Sequence, residues 1–159
     1  MTNKDAIYNL IEFSFFELAF KEAKSAADNN EVPVGCVIVK DNKVISSAQN
    51  QILTLNDPTA HAEILAIRSA CKALNTERLV GCSMFVTLEP CTMCSGAIIL
   101  SRLEKVNFLC YDEKLPAFRE VSESPRHNAS VEWQRFNYPQ LPYEDLLKDF
   151  FRAKREQKT

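Results

Sequence analysis

Apolar and polar residues alternate with a period that changes along the chain, and each change predicts an element. Phe13, Phe16, Phe20, Ala23 and Ala27 recur at spacings of 3, 4, 3 and 4. That is the seam of an amphipathic helix, expected to end near Asn29-Asn30. VGCVIV (34–39) and KVISSA (43–48), split by Asp41-Asn42, read as a β-hairpin. Asp57 and Pro58 read as the N-cap and first-turn residue of a helix running to about Ala73. SMFVT (83–87) is a short buried strand, CTMCSGAIILSR (91–102) a helix and KVNFLC (105–110) another strand. Strand, helix, strand, helix, strand implies crossover units, hence an α/β fold whose partly parallel sheet is covered by helices.

The pattern lapses over residues 112–142, which hold four of the seven prolines (116, 125, 139 and 142) and one short strand candidate at 131–136. Loops are expected there. A last helix from about Tyr143 would turn Leu146, Leu147, Phe150 and Phe151 inward and Lys148, Arg152, Lys154, Arg155 and Lys158 outward. Set against Glu144, Asp145, Asp149 and Glu156, those cations form a modest patch, either a solvated face or a contact for an RNA backbone.

At 159 residues and 46% hydrophobic, residues 1–159 form one expected domain. A chain of that size buries roughly 68–70% of its unfolded surface without help from disulfides or metal. Asp5, Glu12 and Glu17 interrupt the apolar amino terminus, and no apolar run approaches the roughly 18 residues of a membrane span. A cytoplasmic protein with no membrane partner is therefore expected. In such a compartment the cysteines at 36, 71, 82, 91, 94 and 110 are core residues or metal ligands. A net charge of −2 leaves no general basic field, so a polyanion would have to be met by a local patch.

Only Cys91 and Cys94, in TLEPCTMC, are closely spaced. Three readings compete: a redox pair, half of a structural zinc clamp, or part of a catalytic metal site. His61, in DPTAHAE, would complete a nitrogen–sulfur–sulfur set whose fourth tetrahedral position stays open. Positions 91 and 94 share one helix face, and a helix amino terminus favours their thiolates. Pro90 suits a first helical turn. Zinc lowers the pKa of a water it binds from 15.7 to roughly 7, and a carboxylate such as Glu63 can carry that proton to a leaving group. Residues i and i+2 of a regular helix point about 200° apart, so His61 is expected in the first turn with the metal above that end. A redox pair would leave His61 and Glu63 unused. A closed clamp lacks an evident fourth ligand: His127 reads as a loop histidine, and Cys36, Cys71, Cys82 and Cys110 sit in apolar contexts.

H-A-E followed by P-C-x-x-C is the signature of zinc-dependent base deaminases. VPVGCVIV, Asn50, NDPTAHAEILAIR, VTLEPCTMCSGAI, the following Ser-Arg and DFFRAKRE closely resemble the bacterial tRNA adenosine deaminases of the TadA type, over roughly residues 15–114 and 141–156. The resemblance implies a three-layer helix–sheet–helix, cytidine-deaminase-like fold with a central mixed sheet of about five strands. It implies zinc on His61, Cys91 and Cys94, Glu63 as proton shuttle, a homodimer, and conversion of adenosine to inosine at the wobble position of a tRNA anticodon. Asn50 would hydrogen-bond the purine, Val32, Pro33 and Val34 would wall its pocket, and Ala62 and Pro90 would lie near the metal. Phe150, Phe151 and Arg152 would approach the RNA.

Three features depart from that family. Asp112-Glu113-Lys114 runs into LPAFRE where a glycine-rich turn is usual, Leu109 stands at a common glycine position, and Leu100 at a common histidine position. None touches the metal set; together they change the rim. Leu115, Pro116, Phe118, Trp133 and Tyr138 would stack bases differently, or cover the pocket for a free base or nucleoside such as guanine, cytosine or adenosine. A non-catalytic zinc module binding nucleic acid or protein is the third reading, and it has no use for Glu63.

Overall fold

In the computed structural model, the described residues are 3–114, 117–122 and 130–157, with side chains from residue 9 onward except Ala117. Leu115, Pro116, Pro125, His127 and Lys158 lie outside them. The chain runs α1 (Asn3–Asp28), β1 (Gly35–Lys40), β2 (Lys43–Gln49), α2 (Ile52–Leu55), α3 (Ala62–Leu74), β3 (Cys82–Leu88), α4 (Thr92–Leu100), β4 (Lys105–Cys110), α5 (Ala117–Ser122), β5 (Glu132–Arg135) and α6 (Tyr143–Glu156). The five strands form one sheet in the order β2-β1-β3-β4-β5. β1 is antiparallel to both its neighbours, while β3, β4 and β5 are parallel. The parallel strands are joined by α4 and α5, as crossover connections require. No helix among the described residues is long and apolar enough to cross a membrane.

The hairpin closes on Asp41 and Asn42, both at positive φ (50° and 58°). These are the two left-handed residues of a type I′ turn, whose twist matches that of the flanking strands. Strand side chains alternate between two cores. Cys36, Ile38, Met84, Val86, Val106 and Phe108 face α3, α4 and α5, whereas Val37, Val39, Phe85 and Leu109 face α1 and α6.

The buried line of α1 is Phe16, Ala19, Ala23 and Ala26, with Phe13, Phe20 and Ala27 only half-buried. The seam is thus rotated from the one the phenylalanines predict. Its cause is Gly35, where the helix backbone comes so close to β1 that only alanines fit at the centre of the contact. The expectation of loops over 112–142 also fails in part. α5 forms there, burying Phe118 completely, but six residues are too few for a periodicity signal. On α6 only Tyr143 is buried, and Leu146, Leu147 and Phe150 are half-buried. Phe151, expected inward, is 40% exposed.

Candidate metal centre

Two helix amino termini converge beside the carboxyl end of β3. His61 caps α3 in extended conformation (φ −71°, ψ 151°), and Cys91 caps α4 likewise (φ −71°, ψ 174°). His61 therefore stands one residue ahead of the helix, not in its first turn. The 200° separation of helical i and i+2 positions does not apply, which frees His61 and Glu63 to serve one centre. Pro90 likewise precedes the cap of α4 and is not in its first turn. Asp57 opens no helix: its Oδ1 accepts hydrogen bonds from the Thr59 N–H (2.8 Å) and hydroxyl (2.7 Å). Those bonds hold its carboxyl below the usual range. They fold the chain so that the His61 N–H donates to the Thr59 carbonyl at 2.8 Å.

His61 Nδ1 lies 3.7 Å from Cys91 Sγ and 3.6 Å from Cys94 Sγ, and the three donor atoms all fall within 4.8 Å of one another. A tetrahedral zinc with Zn–S about 2.3 Å and Zn–N about 2.0–2.1 Å has S···N edges of about 3.6 Å. Both sulfur–nitrogen separations are thus those such an ion would impose. Their protonation is linked as well. Hydrogen bonding to Cys94 and His61 brings the Cys91 thiol down to about 4, and the bond to Cys91 raises His61. Cys94 is driven up by the bond it shares with Cys91 and by burial. A cation bound here would displace the protons that these ligating atoms carry.

Glu63, in the first turn of α3, is 4% exposed, and its Oε2 has no hydrogen-bond partner. Burial lifts its carboxyl to about 7, with His61 opposing the rise. A buried carboxyl with one free oxygen beside a three-donor set is a group placed to exchange a proton.

The wall beside it is tied together by backbone. The Asn50 N–H donates to the Val34 carbonyl (3.1 Å), and Asn50 Oδ1 accepts from the Ala62 N–H (2.8 Å). That bond fixes the amide's orientation and leaves Nδ2 as the donor on offer. Pro33, Val34, Ala62 and Pro90 are buried, and Val32 is half-buried. Val32 also lines a groove of about 770 Å³ between the end of β4 and α6, with Tyr111, Lys148, Phe151 and Arg155 among its other walls. Phe150 meets Phe151 edge-on, with ring centroids 5.5 Å apart. Arg152 points elsewhere and pairs with Asp149 at 2.8 Å. The groove's cations are instead Lys114, Arg135, Lys148 and Arg155.

Glu89 escaped the sequence reading. It is buried directly ahead of Pro90-Cys91 and bonded to Arg119. The only signal was a charged residue abutting an apolar strand.

The profile of the cytidine and deoxycytidylate deaminase zinc-binding region matches residues 12–110. The chain is 46% identical over 144 residues to a tRNA-specific adenosine deaminase of Aquifex aeolicus, covering 89% of this chain and 94% of that one. Its fold is similar to a solved structure from work on A-to-I editing by tRNA:A34 deaminases at the wobble position. That likeness has a TM-score of 0.75 at 42% identity, over 77% of this chain and 91% of the other. A guanine deaminase from Bacillus subtilis is also similar, with TM-score 0.60 and 29% identity over 98% of this chain and 95% of that one.

Proposed function

Because this chain belongs to the cytidine and deoxycytidylate deaminase zinc-binding family, we propose that it hydrolyses adenosine to inosine at the wobble position of a tRNA anticodon. Water adds at C6 of the purine and ammonia leaves. The observation that carries the chemistry is the His61, Cys91 and Cys94 set with the buried, unpaired Glu63 oxygen beside it. His61, Cys91 and Cys94 would hold zinc, which would supply a Lewis acid to make water a nucleophile at neutral pH. Glu63 accepts the water's proton and returns it to the departing amine, and its free Oε2 is the atom that carries it. Asn50 offers Nδ2 to an acceptor on the purine, while Val32, Pro33 and Val34 flank the ring and Ala62 and Pro90 close the floor.

The RNA reading is supported by the identity to tRNA-specific relatives over 89% of the chain and by the groove that opens from Val32, in which Lys114, Arg135, Lys148 and Arg155 outnumber the carboxylates Asp112, Glu113 and Glu144. Phe151, on the exposed side of α6, offers a ring to an unpaired base there. The reading includes a cytoplasmic homodimer, favoured by exposed apolar residues on α2 and α4: Leu53 (58%), Leu55 (50%) and Leu100 (80%). Sedimentation at micromolar concentration tests that assembly.

Incubation of the zinc-loaded protein with tRNA, followed by sequencing, is expected to show adenosine-to-inosine conversion at the first anticodon position. Unchanged tRNA would sink the proposal. Glu63→Gln is expected to keep its zinc and lose about 10²–10⁴ in turnover. A second reading, deamination of a free base or nucleoside, is favoured by the likeness to a guanine deaminase along nearly the whole chain. Ammonia release from guanine, cytosine or adenosine, with none from tRNA, would establish it instead.

A further inference from the structure

Glu89 has no exposed side-chain surface, yet it carries a carboxylate two residues ahead of Cys91. Its oxygens are fully spoken for. Arg119 donates from Nε to Oε1 at 2.8 Å and from Nη2 to Oε2 at 3.3 Å, and the Asp112 N–H donates to Oε2 at 3.0 Å. The Glu89 N–H in turn donates to the Cys110 carbonyl at 2.9 Å. One residue thus joins the loop that presents Cys91, the end of β4 and the helix α5.

Arg119 does more than neutralise the carboxylate. Its guanidinium lies 4.5 Å from the centroid of the Tyr111 ring, and Arg135 stands over the same ring at 5.4 Å. Tyr111 and Asp112 are groove residues. Phe118 anchors α5 in the core, so the arginine reaches Glu89 from a fixed base. A forked guanidinium sets both the distance and the angle of the carboxylate it holds, which a point charge does not.

We propose that Arg119 is a positioning residue for the deamination site, its bidentate bond to Glu89 holding the Tyr111–Asp112 rim in register with the Cys91 loop. The proposal rests on the deaminase reading above. Loss of the fork leaves the zinc donors and the Glu89–Cys110 backbone bond intact but frees the Glu89 carboxylate to turn away from the Asp112 N–H, loosening the rim.

The test uses the full-length, zinc-loaded protein and the variants Arg119→Gln, Arg119→Lys, Glu89→Gln and the Glu89→Gln/Arg119→Gln double. Amide hydrogen exchange over residues 110–112 is expected to quicken by about tenfold or more in Arg119→Gln. Zinc should remain at one per chain while kcat on tRNA falls about tenfold or more and KM changes little. The double variant should be no worse than the single, because the two side chains act as one unit, and Arg119→Lys should recover part of the loss. Unchanged exchange at 110–112 would overturn the proposal, as would effects of the two residues that multiply, or activity lost only in step with zinc. A rise in KM with a weaker salt dependence of RNA binding would make Arg119 an RNA contact instead. If the wild type leaves tRNA unchanged, the function reading fails alone, because the exchange experiment still decides this one.

Discussion

Gly35→Ala should be among the most damaging single-methyl additions to this protein. A Cβ at Gly35 would lie 1.9 Å from the Ala19 carbonyl oxygen, 2.7 Å from the Ala23 nitrogen and 2.8 Å from Glu22 Cβ. The two nearest obstacles are helix backbone, which cannot swing aside like a side chain. α1 would have to withdraw by at least about 1 Å, and gaps of about 0.5–1 Å already forfeit a quarter to a half of the dispersion energy of each atom pair so separated. Phe16, Ala19 and Ala23, all fully buried against β1 and β3, would open together. Overpacking of this kind costs about 1–3 kcal/mol, and a backbone clash belongs at the upper end. In a domain of this size each kcal/mol is worth about 2–4 °C, so the melting temperature should fall by about 6–12 °C. Substrate binding should suffer as well. Gly35 donates its N–H to Thr87 Oγ1 at 3.1 Å and directly follows Val34, whose carbonyl holds Asn50. Zinc content should not change, because the metal residues sit at the amino-terminal ends of α3 and α4, on the opposite face of the sheet. Thermal unfolding followed by circular dichroism at saturating zinc gives the answer. Gly96→Ala is the control: its added Cβ meets nothing within 4 Å, and the change should stabilise α4 by about 0.5–1 kcal/mol. A Gly35→Ala melting temperature within about 2 °C of wild type would refute the backbone-contact argument.

Asn50→Ala strips the acceptor from the Ala62 N–H and should cost about 1–3 kcal/mol, with a rise in KM that Asn50→Asp, which restores only the acceptor, does not reverse; steady-state kinetics beside thermal melts would separate the two effects. Chelation of zinc should abolish turnover and, relative to protein with free zinc at a hundredfold excess over Kd, remove about 2.7 kcal/mol of stability, which calorimetry with and without chelator would measure. Lys148→Glu with Arg155→Glu should weaken tRNA binding and lower the slope of log K against log salt by roughly 0.7–0.9 for each phosphate that is no longer neutralised. A titration between low and moderate salt reads that slope, and an unchanged slope would place the RNA elsewhere.

The sequence carried the elements whose signals are local. The hairpin was legible because Asp41-Asn42 is turn chemistry between two β-rich runs, and the metal set because histidine and thiolates at those positions have few other joint uses. It did not carry α5, which is too short for a period to register, nor the rotation of α1, which answers to Gly35 on the next element of the chain and its close approach to Ala19 and Ala23. The outward position of Phe151 was equally hidden, because a period tells which residues share a face and not how deeply that face is sunk.

By itself, then, the chain determined which atoms could bind zinc and which carboxylate could move a proton, because those are properties of side-chain chemistry. Tertiary structure decided whether they could act together. It placed His61 and Cys91 as caps, so that residues two apart in sequence can serve one centre, and buried Glu63 until its carboxyl rose to about 7. It also brought Arg119 across thirty residues of chain to Glu89. Distances and desolvation of this kind arise from contacts between segments far apart in sequence, and local pattern holds no record of them.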